Sequence, residues 1–508
     1  MTTPLLIILP HNPGDVVMAL QAIRRLKADR PGLEVDYLVG EECRELVQGN
    51  PLLRKVMTLP KRALRESWNS GDSAGLNKHL ESFLGELTSA RYALSANLFQ
   101  ERSGSLIQGF VSADVKIGLE LSDGGNFQVK SRFLEHLFAI PADRGGNGWH
   151  VVDIYVRAIS RALETASWAG SPESRAGSGK PARRAENAAS LLPPLIRPDA
   201  CRSLVPGSYL AFHPGSAWAG KRWPEAHWAA LASLCAKAGF VIVFTGAPEE
   251  RPVMDRILAG IGPEPRQSMV DCIGATDLSG AAWILGHARM TITGDTVAMH
   301  LAAASGVQTL SLFGASNPVE TGPYGKGHVI IQTDANPLPD LALETEHQGL
   351  AHLSPEEVAG YLLEGIPPPG FTTWETGWDK GRSMQTLRDY RNRPHPGLER
   401  ASKLMQVLDL EADRTAPISV PPLPGRDEVR ETLRRALEAS VADPCAGNLA
   451  TLEAAENELA VETPASLVWE AYRIAVNGLS IRDLRLHLAQ RLARFELSLR
   501  EEALSSVA

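Results

Sequence analysis

A strand–turn–helix pattern around Gly294 most tightly constrains the fold of this chain. A β-type run stops at Gly294, and Asp295-Thr296 then opens an apolar helix that carries His300 about one turn later. The free N–H groups at such a helix start carry partial positive charge and suit a phosphate. A second β-type run, Thr309–Phe313, ends in another loop rich in Gly, Ser and Pro. Because open α/β sheets bind ligands where such strand ends face one crevice, the pattern predicts a diphosphate site.

The same alternation of β and α signals covers two long parts of the chain. Residues 1–165 begin it with Leu5–Leu9 as a strand and Val16–Ala28 as a helix. It resumes over residues 206–366, where Tyr209–His213 reads as the first strand. Alternation of this kind is typical of doubly wound parallel sheets. We therefore predict an α/β protein with two Rossmann-like lobes that face a cleft.

Two segments lack this alternation. Residues 166–205 are rich in Ala, Ser, Gly, Pro and Arg, a composition that predicts a flexible linker. Residues 367–508 show few β signals, and the apolar positions between Ile481 and Leu499 recur at spacings of three and four. That spacing predicts a helix with one apolar stripe. We expect this stripe to pack against a neighbouring helix rather than to bind a partner. We predict a mainly helical C-terminal extension and assign it no role beyond accessory.

Composition and missing motifs exclude several classes of protein. The net charge of −8 argues against nonspecific binding to nucleic acid. The five cysteines are scattered without a C-x-x-C pair, which fits a reducing compartment. No apolar run approaches the roughly 18 residues of a membrane span, and the chain start lacks the basic region of a signal peptide. We expect a cytoplasmic protein and leave peripheral contact with a membrane surface open.

Several well-known nucleotide-binding and metal-binding motifs are absent, which limits the reactions that this chain could catalyse. There is no G-x-G-x-x-G after the first strand and no G-x-x-x-x-G-K-[ST], which disfavours a nicotinamide dehydrogenase and a P-loop NTPase. There is also no D-x-D and no His, Cys or carboxylate cluster with metal-ligand spacing. We therefore expect catalysis that involves no metal.

Four motifs occur in a fixed order along the chain: Pro10 to Val17, Phe212 to Pro224, Thr245 to Arg251 and Gly294 to His300. Together they resemble glycosyltransferase family 9, the ADP-heptose:lipopolysaccharide heptosyltransferases. The resemblance spans about residues 4–365. It implies a GT-B fold with the acceptor on the first lobe and the nucleotide sugar on the second.

The resemblance also implies roles for the residues of the first two motifs. Asp15 would be the general base that removes a proton from the acceptor hydroxyl. A helix N-cap is the ordinary reading of this position, and the two roles are compatible. Lys221 would bind the donor diphosphate, where a cation stabilises the charge that builds on the leaving ADP. Ser216 and Ala217 would supply loop contacts beside it, with Arg222 a mere neighbour.

The last two motifs would hold the nucleotide sugar. A carboxylate after Thr245 would accept hydrogen bonds from ribose hydroxyls, and we choose Glu249 for this role, with Glu250 as the alternative. Asp295, Thr296 and His300 would bind the donor at the helix start. Val297 stands where the family has glycine, which puts the exact donor sugar in doubt.

These features predict an inverting, metal-independent glycosyltransferase. By resemblance, the donor is ADP-heptose and the acceptor an anionic glycolipid, at a Kdo or heptose of the lipopolysaccharide inner core. Basic residues of the first lobe offer either an ordinary charged surface or a cradle for that acceptor: Lys61, Arg62, Arg65, Arg91, Arg102, Lys116, Lys130 and Arg132. Two alternatives stay open: another nucleotide sugar or acceptor (another surface glycan or a protein), and a non-catalytic binding or scaffold protein.

Overall fold

The computed structural model describes residues 4–121, 127–140, 147–165, 190–314, 316–333, 348–379 and 384–393. These residues form two separate β-sheets, each covered by helices. The prediction of two α/β lobes is therefore confirmed. The apolar stripe between Ile481 and Leu499 lies outside the described residues. None of the described helices is both long and apolar enough to cross a membrane.

The first lobe is built on six strands: β1 (Leu5–Leu9), β2 (Val35–Gly40), β3 (Lys55–Leu59), β4 (Arg91–Asn97), β5 (Ser112–Leu121) and β6 (Phe127–Lys130). They are ordered β3-β2-β1-β4-β5-β6, and only β6 runs antiparallel to its neighbour. Side chains of β1 enter two different apolar clusters, one on each face of the sheet. A central strand buried on both faces is apolar at every position, as Leu5–Leu9 is.

Seven helices surround this sheet: α1 (Pro13–Asp29), α2 (Arg44–Val47), α3 (Lys61–Ser70), α4 (Ser73–Leu87), α5 (Arg102–Phe110), α6 (Arg132–Ala139) and α7 (Val151–Thr165). Helix α1 begins at a proline, whose fixed φ suits the first helical position. Asn12, just before it, has a φ of 28°, a left-handed conformation that asparagine tolerates. The chain thus turns sharply from β1 into α1, which leaves Asp15 in the first helical turn.

The second lobe has eight strands: β7 (Tyr209–His213), β8 (Val241–Phe244), β9 (Met269–Asp271), β10 (Met290–Gly294), β11 (Thr309–Phe313), β12 (Val329–Gln332), β13 (Thr372–Asp379) and β14 (Met384–Asp389). They are ordered β14-β13-β12-β11-β10-β7-β8-β9. Strands β7 to β12 are parallel, whereas β13 and β14 are antiparallel. The parallel part repeats the strand order of the first lobe, with its central strand followed by the candidate site loops.

Eight helices belong to the second lobe: α8 (Glu225–Lys237), α9 (Arg251–Ala259), α10 (Pro263–Arg266), α11 (Leu278–Gly286), α12 (Val297–Ala304), α13 (Pro318–Thr321), α14 (Gln348–Ala351) and α15 (Pro355–Glu364). Helix α12 follows β10 directly, and Thr296 is its N-cap. Helix α8 starts after Pro224, as the sequence predicted.

The predicted domain boundary at residue 366 is wrong. Residues 372–379 and 384–389 form the β13–β14 hairpin of the second sheet, where the sequence predicted a helical region. Their polar and apolar residues alternate weakly because the hairpin lies at the sheet edge. Buried Trp374 and Met384 nevertheless anchor it. The rest of the predicted helical extension lies outside the described residues.

The predicted flexible linker is also packed at its C-terminal end. Leu191 and Leu192 are buried in the main apolar cluster. The Leu191 N–H donates to the Ala304 carbonyl at 2.7 Å, and Asn50 Nδ2 donates to the Leu191 carbonyl at 2.8 Å. Two leucines thus give this segment a buried apolar surface, which its overall composition did not predict. Residues 166–189 lie outside the described residues.

One apolar core joins the two lobes. Its buried members include Val16 and Leu20 of α1 together with Leu301 and Ala304 of α12. The two helices pack against each other. This packing brings the helix starts that carry Asp15 and His300 to a common place.

Candidate active site

The start of α1 meets the start of α12 at very close range. A Cβ placed on Gly14 would lie only 3.2 Å from Cδ2 of His300. Glycine at position 14 therefore permits the two lobes to approach here. Asp15 follows directly and is partly buried at the same junction. The structure thus brings together the predicted residues Asp15 and His300, which are far apart in sequence.

Asp15 has an environment that favours its protonated form. Burial raises the pKa of its carboxyl above the usual 3.8, and the Asp295 carboxylate adds to the effect. Asn12, His11 and Lys221 act in the opposite direction without cancelling it. A helix start by itself favours the ionised form of a carboxylate. Burial outweighs that effect, and a carboxylate with a raised pKa is a stronger base.

Lys221 and Asp295 form an ion pair on the second-lobe side. Lys221 Nζ donates to Asp295 Oδ2 at 2.6 Å, and Thr321 Oγ1 donates to Asp295 Oδ1 at 3.3 Å. Burial alone would raise the pKa of Asp295. The Lys221 ammonium, with a smaller effect of the nearby Ser316 hydroxyl, holds it below 3.8. A Cβ on Gly294 would lie 3.1 Å from the Lys221 carbonyl oxygen, so glycine at 294 lets the lysine turn come close.

The Pro-Gly-Ser loop before Lys221 is held by Arg222. Its Nε donates to the Ser216 carbonyl at 2.8 Å and a terminal nitrogen donates to the Ala217 carbonyl at 3.4 Å. Ser216 is partly buried, and its Oγ accepts from the N–H of Trp218 at 3.4 Å. Ala217 is exposed. We expected Arg222 to be a mere neighbour, whereas the structure gives it the task of shaping this loop.

The two glutamates after β8 point in different directions. Glu250 reaches back to accept from the Ala247 N–H at 2.8 Å. A Cβ on Gly215 would clash with its carboxylate, at 1.6 Å from Oε1, so Glu250 lies against the Pro-Gly-Ser loop. Glu249 is exposed. Of the two glutamates, the structure therefore brings Glu250 rather than Glu249 toward the other candidate residues.

The start of α12 combines a polar cap with a neutral histidine. Thr296 is the N-cap, and its Oγ1 lies 3.0 Å from Thr293 Oγ1. Burial lowers the pKa of His300 to about 4, although the Asp295 carboxylate opposes this. His300 is therefore a neutral imidazole at pH 7. Val297, at the family's glycine position, is the first helical residue and packs against the apolar core.

Most of the basic residues of the first lobe are already engaged. Lys61 pairs with Glu42, Lys130 pairs with Glu120, and Arg91 pairs with Asp114. Arg132 bonds Glu135, and Lys116 donates to the Gln108 carbonyl. These contacts favour an ordinary charged surface over one continuous anion cradle. Arg62 and Arg65 are exposed on α3.

Comparison with known proteins decides the family. The model of glycosyltransferase family 9 (heptosyltransferase) matches residues 83–351, which is more than half of the chain. The chain belongs to glycosyltransferase family 9. It is therefore a glycosyltransferase.

Two relatives of this family-9 protein are similar to it over about two thirds of the chain. Lipopolysaccharide heptosyltransferase 1 of Pseudomonas aeruginosa is 27% identical over 332 residues, covering 65% of this chain and 83% of the relative. Lipopolysaccharide heptosyltransferase 1 of Escherichia coli K12 is 24% identical, covering 68% and 99%.

Solved structures agree on the fold. A family 9 glycosyltransferase from Veillonella parvula superposes with a TM-score of 0.53 at 19% identity, covering 70% of this chain and 95% of that one. The Escherichia coli heptosyltransferase WaaC with ADP gives a TM-score of 0.50 at 18% identity, covering 72% and 100%. The expected GT-B fold is confirmed. The β13–β14 hairpin lies beyond the residues that the family model matches.

Thr321 of the candidate site was not predicted, whereas Arg222 and Glu250 were named from the sequence but not chosen. Thr321, Arg222 and Glu250 all contact predicted site residues or their loop. Thr321 ends the short helix α13 in the Gly/Ser/Pro-rich segment after β11, and that composition was the sequence signal that could have indicated it. In the part of the chain that the structure describes, no group of three His, Cys, Asp or Glu side chains is arranged to hold a metal ion.

Proposed function

We propose that this protein is an inverting heptosyltransferase that moves heptose from ADP-heptose to an inner-core sugar hydroxyl of lipopolysaccharide. One observation carries the proposal: a carboxylate with a raised pKa, Asp15, faces a lysine–carboxylate pair, Lys221–Asp295, across the lobe junction. The names of the Pseudomonas and Escherichia relatives support the heptosyl donor. The structure of WaaC with ADP supports adenosine as its nucleoside.

On the acceptor side, Asp15 acts as the general base. The acceptor oxygen bonds to the anomeric carbon of heptose while its proton passes to the Asp15 carboxylate. The bond from that carbon to the diphosphate oxygen breaks on the opposite face, so the configuration inverts. Because Asp15 belongs to the first lobe, that lobe binds the acceptor.

On the donor side, the second lobe stabilises the leaving diphosphate. Lys221 supplies a cation, while the loop at Ser216 and Ala217 and the start of α12 at Thr296 supply dipoles. Asp295 holds the Lys221 ammonium in place through the 2.6 Å hydrogen bond. Neutral His300 can donate to or accept from the sugar without adding charge. The proposed reaction thus places the stabilising charge on side chains and needs no metal ion.

The nucleoside is held beside the Pro-Gly-Ser loop. Glu250 lies against Gly215, and this contact supports Glu250, rather than the predicted Glu249, as the acceptor of ribose hydroxyl bonds. Since Val297 packs into the core, its side chain leaves the α12 start open to phosphate. The protein would work in the cytoplasm on a glycolipid at the inner membrane surface, and nucleic acid is not among its partners.

Thermal unfolding with a panel of nucleotides tests the donor. The panel contains ADP, ADP-heptose, UDP, GDP, UDP-sugars and GDP-mannose. A ligand at about 100 times its Kd stabilises the native state by about 2.7 kcal/mol, which shifts Tm by several degrees. We expect ADP and ADP-heptose alone to give this shift.

Other outcomes would change the proposal in defined ways. Stabilisation by uridine or guanosine nucleotides would contradict the donor and leave the transfer mechanism standing. No response to any nucleotide would contradict the donor site itself. The Lys221→Met variant, which lacks the proposed cation of the donor site, should lose the ADP shift.

A further inference from the structure

A buried carboxylate joins the two lobes away from the candidate active site. The side chain of Asp153, on α7 of the first lobe, is only 2% exposed. Its Oδ1 accepts from the Tyr324 hydroxyl at 2.8 Å and its Oδ2 from the Gln385 N–H at 3.0 Å. It also pairs with the guanidinium of Arg25 on α1. Tyr324 and Gln385 both belong to the second lobe, so Asp153 binds across the junction.

The β13–β14 hairpin surrounds this carboxylate. The ring of Trp378 lies 4.5 Å from the Arg25 guanidinium and meets the Tyr324 ring edge-on at 5.8 Å. The Gln385 side chain donates to the Pro323 carbonyl at 2.9 Å and accepts from the Gly325 N–H at 2.7 Å. The hairpin therefore fixes the loop around Tyr324 and helix α1 at the same time.

Further hydrogen bonds cross the junction beside this network. His150 Nε2 contacts the Gly322 carbonyl at 2.8 Å, and Asn317 Nδ2 donates to the Asn147 carbonyl at 2.9 Å. All four residues are buried, so these contacts exclude water. A buried polar network that is satisfied in this way specifies one arrangement of the elements it joins.

Short stretches of chain connect the network to both carboxylates of the candidate active site. Thr321, which donates to Asp295, is three residues before Tyr324. Arg25 lies ten residues after Asp15 on the same helix. A shift of the loop or of α1 at the network would therefore change the distance between Asp15 and the Lys221–Asp295 pair.

We propose that Arg25, Asp153 and Tyr324, covered by the β13–β14 hairpin, form an interlobe clasp that positions Asp15 against the donor-binding pair. The proposal rests on the proposed function for the identity of the reaction. The clasp residues are positioning residues, because none of them has a place in the transfer step. The hairpin, which lies beyond the family match, is then part of the catalytic unit rather than an appendage.

The chain offers a matched control for this clasp inside the first lobe. Asp36 is fully buried and accepts from Arg54 Nε at 2.8 Å and from the Tyr92 hydroxyl at 3.0 Å. This trio repeats the chemistry of the clasp without contacting the second lobe. Tyr324→Phe and Tyr92→Phe each remove one hydroxyl that donates to a buried aspartate.

Both variants are tested in the full-length protein by transfer kinetics with ADP-heptose and by ADP binding. We expect Tyr324→Phe to lower kcat by between about tenfold and 100-fold, the range for a displaced catalytic group, and to change the Kd of ADP less than twofold. Tyr92→Phe should leave both values within twofold of wild type. Equal effects of the two variants on kcat would overturn the clasp.

A distance measurement separates the clasp from the proposed function. Spin labels at Asn69→Cys and Lys237→Cys, exposed residues of the two lobes, report the interlobe distance in a Cys445→Ser background. We expect a broader distribution in Tyr324→Phe and in the charge-conserving Arg25→Lys, which serves if Tyr324→Phe fails to fold. An unchanged distribution would overturn the clasp even if transfer is confirmed. If the distance distribution changes in the variants but the wild-type protein transfers no heptose, the clasp is retained and the proposed reaction is rejected.

Discussion

The starts of α1 and α12 are built alike, yet they hold their carboxylates in opposite states. Each helix follows a central parallel strand and brings an aspartate to the lobe junction. Burial raises the pKa of Asp15, whereas the Lys221 ammonium outweighs burial at Asp295 and holds its pKa low. The difference lies in the partners, because only Asp295 has a lysine within hydrogen-bond distance.

This contrast supports the roles that we propose for Asp15 and Asp295. Paired carboxylates whose pKa values are pushed apart divide into a group that exchanges protons and a group that stays charged. Asp15 fits the proton acceptor, and Asp295 fits a fixed anion that orients Lys221. A helix N-terminus alone gives no such distinction, since it favours the ionised form of both.

Asp15→Asn gives the largest expected effect. It removes the base and preserves the size of the side chain, so turnover should fall about 10³-fold while ADP binding is retained. Because the folded pKa of Asp15 is raised, its ionised form opposes folding at neutral pH, and this cost disappears as the pH falls. The variant should therefore have an unchanged or higher Tm at pH 7. Wild-type turnover would contradict the role of base.

Lys221→Met should have the next largest effect. Loss of the cation weakens stabilisation of the leaving diphosphate, and we expect kcat/KM to fall about 10²-fold. Steady-state kinetics with ADP-heptose measure this value. Lys237→Met, which changes an exposed lysine at the end of α8, is the control and should behave as wild type. Equal behaviour of the two variants would remove Lys221 from the site.

Asp295→Asn tests the contrast between Asp295 and Asp15 through the free energy of unfolding. It leaves the Lys221 ammonium without its anion, and the free energy of unfolding should fall by about 2 kcal/mol. Urea unfolding at pH 7 measures the change. The opposite sign from Asp15→Asn is the essential result. A stability change of the same sign in both variants would show that the two helix starts do not differ as described.

Glu250→Gln and Glu249→Gln give the smallest expected difference. Loss of a charged acceptor should weaken ADP binding about tenfold in Glu250→Gln, which corresponds to about 1.4 kcal/mol. Glu249→Gln, at the exposed neighbour, should stay within twofold. Calorimetric titration with ADP gives both constants. A larger loss in Glu249→Gln would restore the choice made from the sequence.

Much of the fold could be predicted because its central strands are buried on both faces. Strands β1, β7 and β11 match their predicted bounds, and nearly all of their residues are buried. The β13–β14 hairpin was missed because an edge hairpin with Thr, Glu and Gly among its residues carries a weak strand signal. The packed end of the linker was missed because two leucines were outweighed by polar neighbours.

The site was predictable to the level of its motifs and no further. Asp15, Lys221 and Asp295 were predicted from motifs that resemble glycosyltransferase family 9, and their roles stay predictions. The pKa directions of Asp15 and Asp295 depend on burial and on contacts between distant segments, which spacing does not encode. The same holds for Asp153 and Tyr324, which meet across 171 positions of sequence.

The pH dependence of single-turnover transfer tests the central assignment most directly. With ADP-heptose and a lipopolysaccharide-core acceptor, the wild-type rate should fall on the acid side with an apparent pKa above 3.8, as the base becomes protonated. Asp15→Asn should abolish this limb and leave a slow, pH-independent rate, whereas Asp295→Asn should keep it. An acid limb that persists unchanged in Asp15→Asn would contradict the assignment of Asp15 as the base.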